Sequence, residues 1–188
     1  AEFLDKVRNA VSQMIVGDPR EAATRVGPLI HPEHFARVSG FVERAKAAGI
    51  EVLWGGAKSD FGKLYFQPTM FAGARLQDEI SQKEVFGPVL TWQTFDTDEE
   101  AIAIANGTDY GLAGTLFCGN EARAMRIASQ VVAGTLWVNC FFVRDLSAPF
   151  GGSRISGIGR EGGTHSFDFY CDIKNIAVRK GSFGTAGV

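Results

Sequence analysis

Cysteine is scarce. There are three, Cys118, Cys140 and Cys171, an odd number, widely spaced and with no C-x-x-C pair. That argues against a disulfide scaffold and fits free thiols in a reducing compartment, so a cytoplasmic protein is expected. Charge of one sign is also lacking. Nineteen Lys and Arg face 21 Asp and Glu, for a formal net charge of -2. Neither nucleic acid nor an anionic membrane is therefore an expected partner. No apolar run approaches the roughly 20 residues of a membrane span. Internal repeats and low-complexity tracts are missing, and Ala1-Glu2-Phe3-Leu4 does not read as the basic start of a secretory leader. What remains is an ordinary globular composition, 45% apolar and 21% charged. The length suits one domain or a large piece of one. Glycine is the exception, with 23 residues where average usage would give about 13. Its excess gathers near Gly151–Gly163.

Apolar spacing predicts a helix over 2–15, ending before Gly17-Asp18-Pro19. Pro32 suits a first helical turn, with Phe35, Val38, Phe41, Val42 and Ala45 on one face and Gly49 as the stop. Ile50–Trp54 reads as a short strand. Tyr65–Phe71 is extended, but Pro68 points to an edge or a non-strand role. Val89–Phe95 is strand-like, and Thr97-Asp98-Glu99-Glu100 is a capping-box pattern for a helix to Ala105. Leu112–Cys118 is a strand, Asn120 caps another helix, and Gly134–Cys140 is a third strand. This β-α-β-α-β order predicts an α/β fold, a parallel sheet with flanking helices. Phe141–Tyr170 reads as loop with a short helix near its end, Ile173–Arg179 as a last strand, and 181–188 as a flexible tail. Ligands of open α/β sheets gather at the carboxyl ends of strands. The long loop after Gly134–Cys140 is thus the place to look for a site.

Several residue groups carry candidate chemistry. Gly157-Ile158-Gly159-Arg160-Glu161-Gly162 matches G-x-G-x-x-G, but no strand directly precedes it. A glycine-supported loop with unusual backbone angles is the better reading than a phosphate cradle. Cys140, where a strand meets the long loop, is either a nucleophile or a packed thiol, and the packed thiol is the default. His31 and His34 could hold a metal, yet no third ligand clusters near them, so a helix terminus is favoured and no metal is expected. Glu84, before Val85-Phe86-Gly87-Pro88, either accepts ribose hydroxyls or is an exposed loop acid. Arg144-Asp145 stands among Phe141, Phe142, Val143 and Leu146. It is either an internal ion pair or a site in which Arg144 awaits an anionic partner.

Lys83-Glu84-Val85-Phe86-Gly87-Pro88-Val89 resembles the aldehyde dehydrogenase superfamily. So do Ala105-Asn106-Gly107-Thr108-Asp109-Tyr110-Gly111-Leu112, Gly134-Thr135-Leu136-Trp137-Val138-Asn139 and the run from Pro149-Phe150-Gly151-Gly152 to Gly159-Arg160-Glu161. Val16-Gly17-Asp18-Pro19 and Val26-Gly27-Pro28-Leu29 also fit. The resemblance covers nearly the whole chain. It implies the C-terminal portion of an NAD- or NADP-dependent enzyme that oxidises an aldehyde to an acid. The nucleophilic Cys, the general-base Glu and the cofactor domain are expected N-terminal to this stretch. The chain alone is thus expected to be inactive, with no catalytic residue of its own and no tight cofactor binding.

By the same resemblance, Glu84 matches the glutamate that binds the nicotinamide ribose, and Phe86 the aromatic beside the nicotinamide. Phe150 matches an aromatic of the substrate tunnel. Residues 1–170 would be a partial catalytic domain, and 171–180 an oligomerisation strand through which Ile173–Arg179 pairs with a second copy. Asn139-Cys140-Phe141-Phe142-Val143-Arg144-Asp145-Leu146 is similar to the hydroxymuconic semialdehyde dehydrogenases of aromatic degradation. Their substrates carry a carboxylate, which Arg144 would anchor. A betaine-type parent enzyme, a non-catalytic oligomerisation or binding module, and a small enzyme using Cys140 stand as alternatives.

Overall fold

The structure, a computed structural model, describes residues 2–181. The chain divides into two compact units, Ala1–Asp109 and Tyr110–Val188.

The first unit begins with α1 (Glu2–Ser12), shorter than the apolar spacing predicts. The Ile15 carbonyl accepts from the N–H groups of both Arg25 and Val26, and Val16 bridges Val26. Those bonds draw 15–17 into extended backbone, and the helix stops short of them. α2 (Pro32–Ala47) has Pro32 in its first turn, and its N-cap His31 accepts from the His34 N–H through Nδ1. Its buried stripe is Val38, Phe41, Val42 and Ala45.

Three strands follow, β1 (Glu51–Trp54), β2 (Thr69–Ala72) and β3 (Val89–Trp92), in the order β1-β2-β3. β1 runs antiparallel to β2, and β2 parallel to β3, with Thr69 opposite Val89 and Ala72 opposite Trp92. The sheet is therefore mixed. It also corrects the reading of Tyr65–Phe71, because β2 is the central strand. Pro68 stands one residue before the ladder, so its missing N–H removes no inter-strand bond. Thr69 starts the strand by donating its N–H to the Pro88 carbonyl at 2.8 Å. Met70 and Phe71 are fully buried. One turn of helix, α3 (Glu79–Gln82), lies in the β2–β3 crossover and buries Ile80. The core of this unit joins the α2 stripe to Phe66, Phe71, Ala74, Ile80 and Val85. α4 (Asp98–Asn106) closes the unit, capped by Thr97 Oγ1 accepting from the Glu100 N–H.

The second unit holds β4 (Ala113–Leu116) and β5 (Thr135–Val138), parallel, with α5 (Glu121–Ala128) as the crossover. Asn120 Oδ1 caps α5 by accepting from the Arg123 N–H, and Ala124 and Ile127 are its buried face. β3 belongs to the other sheet, so the predicted single β-α-β-α-β sheet is divided between two. The cause is β2, whose edge takes up β3. After β5 the chain is loop to 164, apart from a 3-10 turn at Arg154–Ser156, and α6 (His165–Tyr170) follows. Among the described residues, Ile173–Arg179 pairs with no strand and is exposed throughout. The predicted tail lies outside the described residues from 182 onward.

Candidate functional site

In the first unit, Glu84 and Phe86 sit on the loop between α3 and β3. Two side chains of α2 fix that loop from below. The Arg37 guanidinium donates to the carbonyls of both Glu84 and Val85. His34 Nε2 lies 2.7 Å from the Phe86 carbonyl, which accepts its proton. Arg37 also lies over the Phe41 ring, 5.0 Å from its centroid, which limits its freedom. Gly87 lets the loop rest on the helix, since a Cβ there would press into Val38. Held this way, Phe86 adopts φ 59, a left-handed conformation that costs a bulky residue about 1–2 kcal/mol.

The result is a presented pair. Val85 points into the core, while the Phe86 ring is 69% exposed. The Glu84 carboxylate is exposed and makes no hydrogen bond or ion pair among the described residues. An unengaged carboxylate offers two acceptor oxygens to a vicinal diol, and a flat apolar ring beside it offers a stacking face. These residues fit a nucleotide's ribose and heteroaromatic ring.

In the second unit, Arg144 and Phe150 come together. The Arg144 guanidinium carbon lies 4.3 Å from the Phe150 ring centroid. The alternative of an Arg144–Asp145 ion pair is not formed. Asp145 instead accepts from the Oγ and N–H of Ser147 at 2.7 and 2.9 Å. Those two bonds hold its carboxyl below the usual carboxylate range, the hydroxyl contributing most. Among the described residues Arg144 has no carboxylate partner. It lines a cavity of about 220 Å³ with Asp145, Phe150, Glu161, Ser166 and Tyr170.

The end of β5 sets this loop. Asn139, at φ 55, donates Nδ2–H to the Cys118 carbonyl and accepts the Cys118 N–H, so its amide extends the β4–β5 ladder by one rung. Trp137, buried on β5, donates its indole N–H to the Val143 carbonyl at 2.8 Å. The rings of Phe141 and Phe142 pack at 5.8 and 6.0 Å from the Trp137 ring.

The glycine cluster is structural. The N–H groups of Gly157, Glu161, Gly162 and Gly163 go to Arg154 O, Phe150 O, Ser166 Oγ and Leu146 O. A phosphate would find these donors taken. The Arg160 guanidinium ties the carbonyls of Gly152 and Gly159 and the Ser153 hydroxyl. The predicted unusual angles occur at Gly162 (φ +100), where a Cβ would strike the Ala148 carbonyl, and at Gly163. Cys140 is half-buried just past β5. His31 and His34 serve as helix cap and loop contact. Among the described residues no group of three His, Cys, Asp or Glu could hold a metal ion.

Sequence reasoning missed His34 and Arg37 as supports for the Glu84–Phe86 loop, and Trp137 as the donor to the Val143 carbonyl. The first two are three apart on α2 and so share a face, which was the one available signal.

Comparison with known proteins places these motifs. The model of the aldehyde dehydrogenase family matches residues 1–176. The chain is 39% identical over 183 residues to 2-hydroxymuconic semialdehyde dehydrogenase of Pseudomonas sp. (strain CF600), covering 95% of this chain and 38% of that protein. It is 37% identical over 179 residues to betaine aldehyde dehydrogenase of Cereibacter sphaeroides, covering 95% of this chain and 37% of that protein. Among solved structures, HpcC from Thermus thermophilus superposes with TM-score 0.89 at 42% identity, over 99% of this chain and 38% of that one. The betaine aldehyde dehydrogenase of Staphylococcus aureus, solved in complex with NAD+, superposes with TM-score 0.85 at 37% identity, over 90% of this chain and 34% of that one. The chain thus spans less than two-fifths of the length of these relatives. With the family model matched over nearly all of its residues, the chain belongs to the aldehyde dehydrogenase family.

Proposed function

We propose that this chain works as the C-terminal part of an NAD- or NADP-dependent aldehyde dehydrogenase whose substrate carries a carboxylate as well as the aldehyde. The observation that carries the substrate class is Arg144: a guanidinium stacked on Phe150, without an ion-pair partner among the described residues, lining a cavity. A planar fork with its charge unmet suits a carboxylate, and it repels the quaternary ammonium of a betaine-type aldehyde. Glu84 binds the cofactor's ribose hydroxyls and Phe86 packs against its nicotinamide. The bound cofactor supplies a hydride acceptor for the aldehyde hydrogen and its electron pair. The thiol nucleophile and the general base come from the rest of the enzyme, so this chain alone does not turn over. Ile173, Ile176 and Val178, 92, 72 and 75% exposed, supply apolar contacts when the segment pairs with a second copy. Such an enzyme works in the cytoplasm on a small molecule, without nucleic acid or membrane.

The test is Arg144→Ala in the complete enzyme, with a carboxylated semialdehyde and a plain aliphatic aldehyde. Loss of one charge-assisted contact in a partly wet site should raise KM for the carboxylated substrate about tenfold. Equal changes for the two substrates would remove the basis for the carboxylate.

A further inference from the structure

We infer that Trp137 is a positioning residue for the substrate's carboxylate, acting through its indole N–H rather than through the bulk of its ring. The inference rests on the proposed role of Arg144. Among the described residues the Arg144 side chain has no ion-pair or hydrogen-bond partner, and the exposed segment Phe141–Leu146 forms no helix or strand. Two features restrain the segment just before Arg144. Phe142 sits at φ 56, a conformation a bulky side chain does not choose unaided. The next residue, Val143, has its carbonyl bound by Trp137 Nε1 at 2.8 Å.

Trp137 is a rigid anchor. It lies on β5 opposite Thr115 of β4 and is 9% exposed. A donor fixed there dictates where the Val143 carbonyl points, and therefore the turn at Phe142 and the direction in which Arg144 leaves the main chain. Phe150 then orients the guanidinium from the other side. The strand thus sets the direction of the anion-binding group through one hydrogen bond. Losing the donor frees the Val143 carbonyl, relaxes Phe142 toward negative φ and swings Arg144 off its stacking position.

Two substitutions separate the N–H from the ring. Trp137→Phe keeps an apolar aromatic and removes the donor. Trp137→His loses the benzo ring but places an Nε2–H at the position of the indole N–H. In the complete enzyme, the readout is the ratio of kcat/KM for a carboxylated semialdehyde over that for a plain aldehyde, with Tm measured alongside. Trp137→Phe should lower the ratio roughly fivefold to tenfold, mostly through KM, the scale of one misplaced charge-assisted contact. Trp137→His should retain the ratio within about twofold, although its poorer packing lowers Tm further. If the ratio follows Tm, falling more in Trp137→His than in Trp137→Phe, the ring and not the N–H matters, and the inference is overturned. Arg144→Ala is the reference. If it leaves the ratio unchanged, the carboxylate site itself is wrong. If it lowers the ratio while Trp137→Phe does not, only the positioning role fails.

Discussion

Arg37→Met isolates the support beneath Glu84 and Phe86. Methionine keeps much of the side chain's length and apolar stem, but the two bonds to the Glu84 and Val85 carbonyls vanish. Arg37 is largely exposed and water competes for those carbonyls, so each bond is credited with about 0.5–1.5 kcal/mol rather than a buried charge-assisted value. Opposing them is the left-handed Phe86, at about 1–2 kcal/mol. The two quantities are of similar size. With Arg37 gone, the His34 contact still holds the strained turn, but the loop's presenting conformation loses its margin. A loss of about 1 kcal/mol in the binding-competent population weakens cofactor affinity roughly fivefold. The assay is NAD affinity of the complete enzyme by fluorescence titration, beside KM for the aldehyde. NAD affinity should fall about fivefold while the aldehyde KM holds. Arg37→Lys should recover only part, because one ammonium does not span two carbonyls as the planar fork does. Unchanged NAD affinity in Arg37→Met, beside a clear loss in Glu84→Gln, would show that the loop holds its shape without Arg37 and refute the argument.

Local chemistry announced the elements that depend on it. α2, α4 and α5 each begin at a residue whose side chain caps them, His31, Thr97 and Asn120. The buried stripes of α2 and α5 have helical spacing. α3 escaped notice because four residues with one buried side chain carry no period. The sheet escaped for a different reason. Discounting a strand for its proline is sound when the proline lies inside the ladder, but Pro68 lies just outside it. The β-α-β-α-β order of the sequence places β3 beside β4 and β5, whereas its partner is β2. Strand adjacency rests on register between distant residues, which no local pattern records.

The site shows the same division. Glu84 can be read alone as ribose ligand or loop acid with equal right, and it is the resemblance that favours the ribose ligand. What presents it comes from 47 and 48 residues away, through main-chain carbonyls that have no sequence identity. Because they are neighbours, Arg144 and Asp145 can be read from sequence either as an internal ion pair or as a site in which Arg144 awaits an anion. The deciding residue was Ser147, two positions on, which engages Asp145 and leaves the guanidinium to Phe150. The G-x-G-x-x-G spacing is explained by packing and by a turn at Gly162, with no ligand needed.

Phe71→Ala, at the fully buried centre of β2, should destabilise the protein by about 3–5 kcal/mol in urea unfolding, and a change below about 1 kcal/mol would mean this core is not what stabilises the fold. A second expectation concerns acid. The guanidinium of Arg75 and then its N–H, at 2.7 Å, hold the Asp78 carboxyl below its usual range. A carboxyl with a depressed folded pKa binds its proton more readily in the unfolded chain. Between the ordinary carboxylate value near 4 and the lower folded value, the unfolded state therefore carries more protons, and falling pH favours it. The stabilisation from Asp78 is fully present above the ordinary value and is lost as pH falls through the folded one. Asp78→Asn removes the titration while keeping a side-chain oxygen for the Arg75 N–H. The stability gap between wild type and Asp78→Asn should be flat from about pH 7 to pH 5, then close below about pH 4. Urea unfolding across that range checks it, and a gap that widens as pH drops would show that the Arg75–Asp78 contact is not formed in solution.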